Sequence, residues 1–221
     1  MSKKKEIISL IIGFGGAVAG LYGVVSFNQF VLTSLPPRIR MVSVILTYWL
    51  IALIPAIVMI VNKDKLTDYG FSKEKIWMQI VVGILIGLVV SVVLTLIPHL
   101  IGFGEFVDNG NGYKYLWQFA YEFLYCILAV GPVEEFVFRG FIFEKIRRVC
   151  GKDVIAVIIS SVLFGVFHLF SGNLVQMLMT AFMGAFFCFC RLKIKNCSTL
   201  SLIIGHGVYD ALITVFASVL L

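Results

Sequence analysis

The chain has 221 residues, 60% of them hydrophobic and 14% charged, with a formal net charge of +6 and a mean hydropathy of +1.02. Such a composition excludes a water-facing globular domain, whose surface needs far more polar residues, and identifies a polytopic membrane protein. The basic excess is spread over several loops without forming a patch, so it does not point to nucleic acid as a partner.

In chain order, the first apolar window runs from Ile7 to Pro37, after the basic start MSKKK. Ala17-Val18-Ala19 mimics a signal-peptide cleavage site, but the uncharged run is too long for a secretory h-region, and an uncleaved first span is expected. Uncharged windows follow at Met41 to Asn62, Ile76 to Gly104 and Val154 to Cys190, and Asn196 to Leu221 carries Asp210 as its one charge. Since about 20 apolar residues cross the hydrocarbon core, the window from Val154 must fold back on itself, with Ser171-Gly172-Asn173 the expected turn. One more span is needed between Tyr115 and Arg148, where Glu122, Glu134, Glu135, Arg139 and Glu144 interrupt an apolar run.

The expected architecture is an all-α bundle of seven transmembrane spans, or eight if Gly131-Pro132 breaks the charged region in two. Residues 1–114 would hold the first three spans and the polar loop GFGEFVDNGNGYK (102–114), and residues 115–221 a second helical unit. With the N-terminus inside, Lys3 to Lys5, Lys63, Lys65, Lys73, Lys75, Lys145, Arg147, Arg148, Lys152, Arg191, Lys193 and Lys195 all fall on the cytoplasmic side. Arg38, Arg40 and Lys114 fall outside, as the positive-inside rule asks. The expected location is a bacterial cytoplasmic membrane. The five cysteines include no CxxC pair and lie mostly in or beside spans, so they read as small apolar residues.

An ionisable residue inside a span costs about 2.5–3.5 kcal/mol at the helix centre and therefore faces a partner or a wet cavity. Glu135 and Arg139 stand at i, i+4 and can pair on one helix face. Glu134, about 100° away on a regular helix, needs a partner elsewhere. Of the three histidines, His99 lies beside a proline near a span end and reads as interfacial, while His168 and His206 sit inside apolar windows. Glu134 precedes Gly151 by 17 residues and His168 follows it by 17. A hairpin turning at Cys150-Gly151-Lys152-Asp153 brings the two level, roughly 25 Å from the turn at 1.5 Å per residue. His206 and Asp210 share a face of the last helix, and Gly205 and Gly207 allow other helices close to that histidine.

A carboxylate and two imidazoles in a low-dielectric site can activate water directly or ligate a divalent metal. Zinc is the metal such a set would suit, through Glu134, His168 and His206, although neither HExxH nor a cysteine cluster is present. No serine context such as GxSxG accompanies these groups.

Glu134-Glu135 with Arg139, Phe164 four residues before His168, and His206 four residues before Asp210 together resemble the three motifs of the CPBP family. These are the CAAX proteases and bacteriocin-processing enzymes, also called Abi, and the resemblance covers residues 115 to 220. It implies an intramembrane endopeptidase acting on a peptide or membrane-protein substrate, with the catalytic core in residues 115–221. It further implies that Glu134 and His168 activate water, that His206 and Asp210 serve the oxyanion, and that Glu135 and Arg139 order the site. A metal-dependent and a metal-free glutamate mechanism are both held for the family. Its eukaryotic members carry Asn where this chain has Asp210, and a carboxylate donates no hydrogen bond unless protonated; orienting His206 is the role expected for Asp210. The competing readings are a non-catalytic bacteriocin-immunity or regulatory protein and an ion-coupled transporter.

Overall fold

The computed structural model describes residues 2–103, 113–169, 172 and 174–220, and among these the chain forms helices and no strand. The helices are α1 (Lys3–Phe30), α2 (Pro37–Tyr48), α3 (Leu50–Val61), α4 (Ile76–Ser91), α5 (Leu116–Tyr125), α6 (Gly131–Glu134), α7 (Phe143–Cys150), α8 (Asp153–His168), α9 (Leu174–Lys193) and α10 (Thr199–Leu220). Among the described residues, five helical runs are long and apolar enough to cross a membrane: Lys3–Ser34, Pro37–Val61, Ile76–Phe103, Leu174–Lys193 and Thr199–Phe216. Large apolar side chains such as Trp77 and Leu116 stand exposed on the outside, as lipid-facing residues do. Ser171, Asn173 and residues 104–112 of the polar loop lie outside the described residues.

Residues 116–150 form one unbroken rod. α5, α6 and α7 are joined by two π-helical stretches, Cys126–Val130 and Glu135–Ile142, and the joining residues keep right-handed helical angles throughout. The chain therefore stays helical through Gly131-Pro132. Proline lacks an N–H and frees the carbonyl four residues earlier, here that of Leu128. Trp49, at the α2–α3 junction, fills the vacancy, its Nε1 donating to Leu128 O at 3.1 Å. The rod ends at Gly151, whose φ of +70° suits glycine and lets its N–H return to Arg147 O at 2.8 Å.

The other helices pack in pairs around this rod: α4 along α10, α8 along α9 and α1 along α3. Small residues set the α4–α10 distance. A Cβ on Gly83 would lie 2.5 Å from Ser201 O, and one on Gly87 would lie 2.7 Å from Gly205 O. α6 approaches the other side of α10 as closely, because a Cβ on Gly131 would meet Ile203 O at 2.5 Å and one on Gly207 would meet Cys126 O at 2.9 Å. Glycines on both sides of His206 thus admit α4 and the rod to backbone contact.

At the basic end of the bundle a buried ion cluster ties α1, the 62–70 segment and α7 together. Lys145 Nζ, 0% exposed, lies 2.9 Å from Glu6 Oε2 and 2.8 Å from Asp64 Oδ2. Arg148 reaches Asp64 at 3.2 Å, and Tyr69 donates to Asp64 Oδ2 at 2.6 Å. A second tie runs from Arg191 to Glu144 at 2.5 Å and to the Arg139 carbonyl at 2.6 Å.

Burial alone would raise the Asp64 carboxyl. Hydrogen bonds from Lys145 and Tyr69, with the charges of Lys145 and Arg148, outweigh it and hold Asp64 below its ordinary value. A carboxyl depressed by folding contributes stability that is complete above its unfolded value, about 3.9, and is lost as pH falls through the folded value. Asp64→Asn should therefore lower stability at neutral pH by about 2 kcal/mol, and the deficit should shrink as pH drops below 4. Thermal unfolding of both proteins in detergent across pH 3–7 checks this.

Candidate active site

The six residues singled out from the sequence meet in one place, where α6, the π-helical stretch after it, the end of α8 and the middle of α10 converge. Glu134 is 2% exposed and Glu135 is fully buried. His168 Nε2 lies 3.6 Å from Glu134 Oε2 and His206 Nε2 lies 3.7 Å from the same oxygen. These separations are longer than a direct hydrogen bond, and Glu134 Oε2 has no hydrogen-bond partner among the described residues. The hairpin at Gly151 accordingly brings Glu134 and His168 level, as the equal spacing on its two sides requires.

His168 closes α8 and folds its ring back on its own helix. Nδ1 stands 3.0 Å from Phe164 O, and a carbonyl only accepts, so this contact puts the proton on Nδ1 and leaves the Nε2 lone pair toward Glu134. The Phe164 ring meets the imidazole edge-on at 4.5 Å. The same ring also meets the Arg139 guanidinium, 3.9 Å from the ring centroid, a cation–π contact in a dry setting.

Glu135 is the hub of the buried charges. Its Oε1 is 2.9 Å from Arg139 Nη1 and 2.6 Å from His206 Nδ1. Glu134 and Glu135 therefore both reach His206, one on each side of the ring. The π-helical stretch that begins at Glu135 widens the turn there, so the two carboxylates do not diverge as they would on a regular helix. Glu135 thus meets His206 at Nδ1, and Asp210 sits on the other side, with Oδ2 at 3.3 Å from His206 Nε2. His99 lies apart, half-buried in the extension of α4.

Tyr48 is not among the residues the sequence singles out. It ends α2, and its hydroxyl donates a hydrogen bond to Glu134 Oε1. The usable signal is its place near the middle of the uncharged window from Met41 to Asn62, because a phenol buried in a span needs an acceptor.

Among the described residues, no group of three or more His, Cys, Asp or Glu side chains is arranged to hold a metal. Both nitrogens of His206 face carboxylates, the setting of a ring that donates from both sides and offers a metal no lone pair. The set as it stands does not fit zinc, and no step below is routed through a metal.

Breaking the buried pair by Glu135→Gln would leave Arg139, 1% exposed, without its counter-charge. The variant should lose about 3–5 kcal/mol of stability, read from denaturation in micelles against Asp210→Asn, which leaves that pair intact.

No curated protein and no solved structure matches the chain. Residues 116–212 match the family described as Rce1-like, Type II CAAX prenyl endopeptidase Rce1-like. The matched stretch contains all six residues of the site and stops two residues after Asp210. Over residues 116–212 the chain is thus similar to the Rce1-like family, consistent with the resemblance of its motifs to the CPBP intramembrane proteases.

Proposed function

We propose that the protein is an intramembrane endopeptidase of the CAAX-protease type that hydrolyses a peptide bond within or at the edge of the bilayer. The observation that supports this most is Glu134 Oε2, buried, without a hydrogen-bond partner, and facing Nε2 of two imidazoles across gaps of 3.6 and 3.7 Å. Separations of that size between polar groups suit a bridging water.

In the proposed reaction a water held by Glu134 Oε2 and His168 Nε2 attacks the peptide carbonyl carbon while Glu134 takes its proton. The carbonyl π electrons move to oxygen, and His206 Nε2–H, fixed by Glu135 at Nδ1, hydrogen-bonds the oxyanion. The intermediate then collapses. The C–N bond breaks, the leaving nitrogen takes the proton from Glu134, and an acid and an amine depart. Asp210 as a carboxylate accepts from His206 in the resting site and donates nothing. An amide there can do both, so Asp210→Asn should retain cleavage within about 10-fold.

The proposed substrate is a peptide or membrane-protein segment. The proposed topology has seven spans: the five long apolar runs, the 116–150 rod, and α8 with its 16 residues. The N-terminus and the basic end of the bundle face the cytoplasm. Residues 115–221 supply the catalytic core.

Purified protein in micelles would be assayed on quenched fluorogenic peptides, including a CAAX-terminated peptide with and without a prenyl group. Wild type should cleave, whereas Glu134→Gln and His168→Ala should each lose at least about 1,000-fold while remaining inserted and monodisperse. Unchanged cleavage in Glu134→Gln would overturn the mechanism, and the absence of cleavage by wild type would overturn the reading as a protease.

A further inference from the structure

The 116–212 segment that carries the family match does not make the site alone. At the α2–α3 junction, consecutive residues Tyr48 and Trp49 both point a donor at the rod. Tyr48 OH donates to Glu134 Oε1, and Trp49 Nε1 donates to Leu128 O, the carbonyl released by Pro132. The Tyr48 ring is held in turn, meeting Tyr125 edge-on at 5.8 Å.

From this geometry we propose that Tyr48 is a positioning residue for Glu134, so that the second span is part of the catalytic unit. The proposal rests on the protease reading above. A carboxylate presents two oxygens, and a base that can turn either one to the water is poorly oriented. With Oε1 occupied by the Tyr48 hydroxyl, the carboxylate cannot rotate without losing a half-buried charge-assisted hydrogen bond. Only Oε2 is left to face the two imidazoles, and it is the oxygen without a hydrogen-bond partner. Trp49 fixes the same junction to the preceding turn of the rod. The phenol therefore arrives at Glu134 from a helix already docked beside it, which is what holding a base within a fraction of an ångström requires.

The test has two arms. In the first, Tyr48→Phe is assayed on the fluorogenic peptide that wild type cleaves best, beside protein carrying 3-fluorotyrosine at position 48. Tyr48→Phe should lower kcat about 10- to 100-fold, the range for a hydrogen bond to a charged group, with KM within about 2-fold. The fluorinated phenol, nearly unchanged in shape but a stronger donor, should alter kcat as well, which a role in packing alone would not produce. Wild-type kcat in Tyr48→Phe, or in the fluorotyrosine protein, would overturn the proposal and leave the protease reading standing. The second arm needs no cleavage: a thermal-unfolding cycle of Tyr48→Phe, Glu134→Gln and the double variant. Coupled shifts support the contact and additive shifts overturn it. Coupled shifts together with a wild type that cleaves nothing would sink the protease reading alone.

Discussion

A guanidinium buried in an apolar helix bundle has to be neutralised within reach of its own helix, and Arg139 meets that condition through Glu135 one turn before it. The consequences spread outward. Glu135 Oε1, once drawn to Arg139, also receives His206 Nδ1, which sets the ring plane of His206 and turns Nε2 toward Glu134 and Asp210. The guanidinium carbon lies over the ring of Phe164, whose backbone carbonyl and ring together hold His168. One ion pair thus orders both histidines, from two different helices. It does so in a setting of low dielectric, where each contact is strong and each unmade contact is expensive.

The rod from 116 to 150 achieves this by departing from regular α-helix in the places where charge is concentrated. Its second π-helical stretch begins at Glu135, and that widening allows adjacent glutamates to address the same imidazole. Pro132, just before them, opens a carbonyl that Trp49 closes. Irregular backbone within a membrane-spanning helix is tolerable only when something satisfies the groups it frees. Here the donor comes from Trp49 at the α2–α3 junction. Glycines on α4, α6 and α10 bring those backbones into contact on either side of His206.

Much of this was legible in the sequence, and for physical reasons. Uncharged windows of spanning length have to become helices, and α1, α4, α9 and α10 fall inside or nearly coincide with them. The equal distances of Glu134 and His168 from Gly151 made their meeting a matter of counting, since a hairpin of two helices conserves level. The i, i+4 spacing of His206 and Asp210 placed both on one face. What resisted was everything that depends on departures from regular geometry or on contacts between remote windows. A regular helix sends Glu134 away from Glu135, and no residue pattern announces the π-helical widening that reunites them. Tyr48 is one phenol among many aromatic residues, and only the fold gives it Glu134. The cluster of Glu6, Asp64 and Lys145 joins α1, the 62–70 segment and α7, which lie far apart in the chain, and in the sequence Lys145 counts only toward sidedness.

In the proposed reaction Glu134 activates water itself, and His206 is too fully engaged by carboxylates to serve a metal. The most direct test measures turnover and bound metal together on one chelator-treated, purified sample. Cleavage that continues at the untreated rate with far less than one metal ion per chain is the predicted result. Cleavage that stops on chelation and returns on stoichiometric addition of zinc would contradict the account.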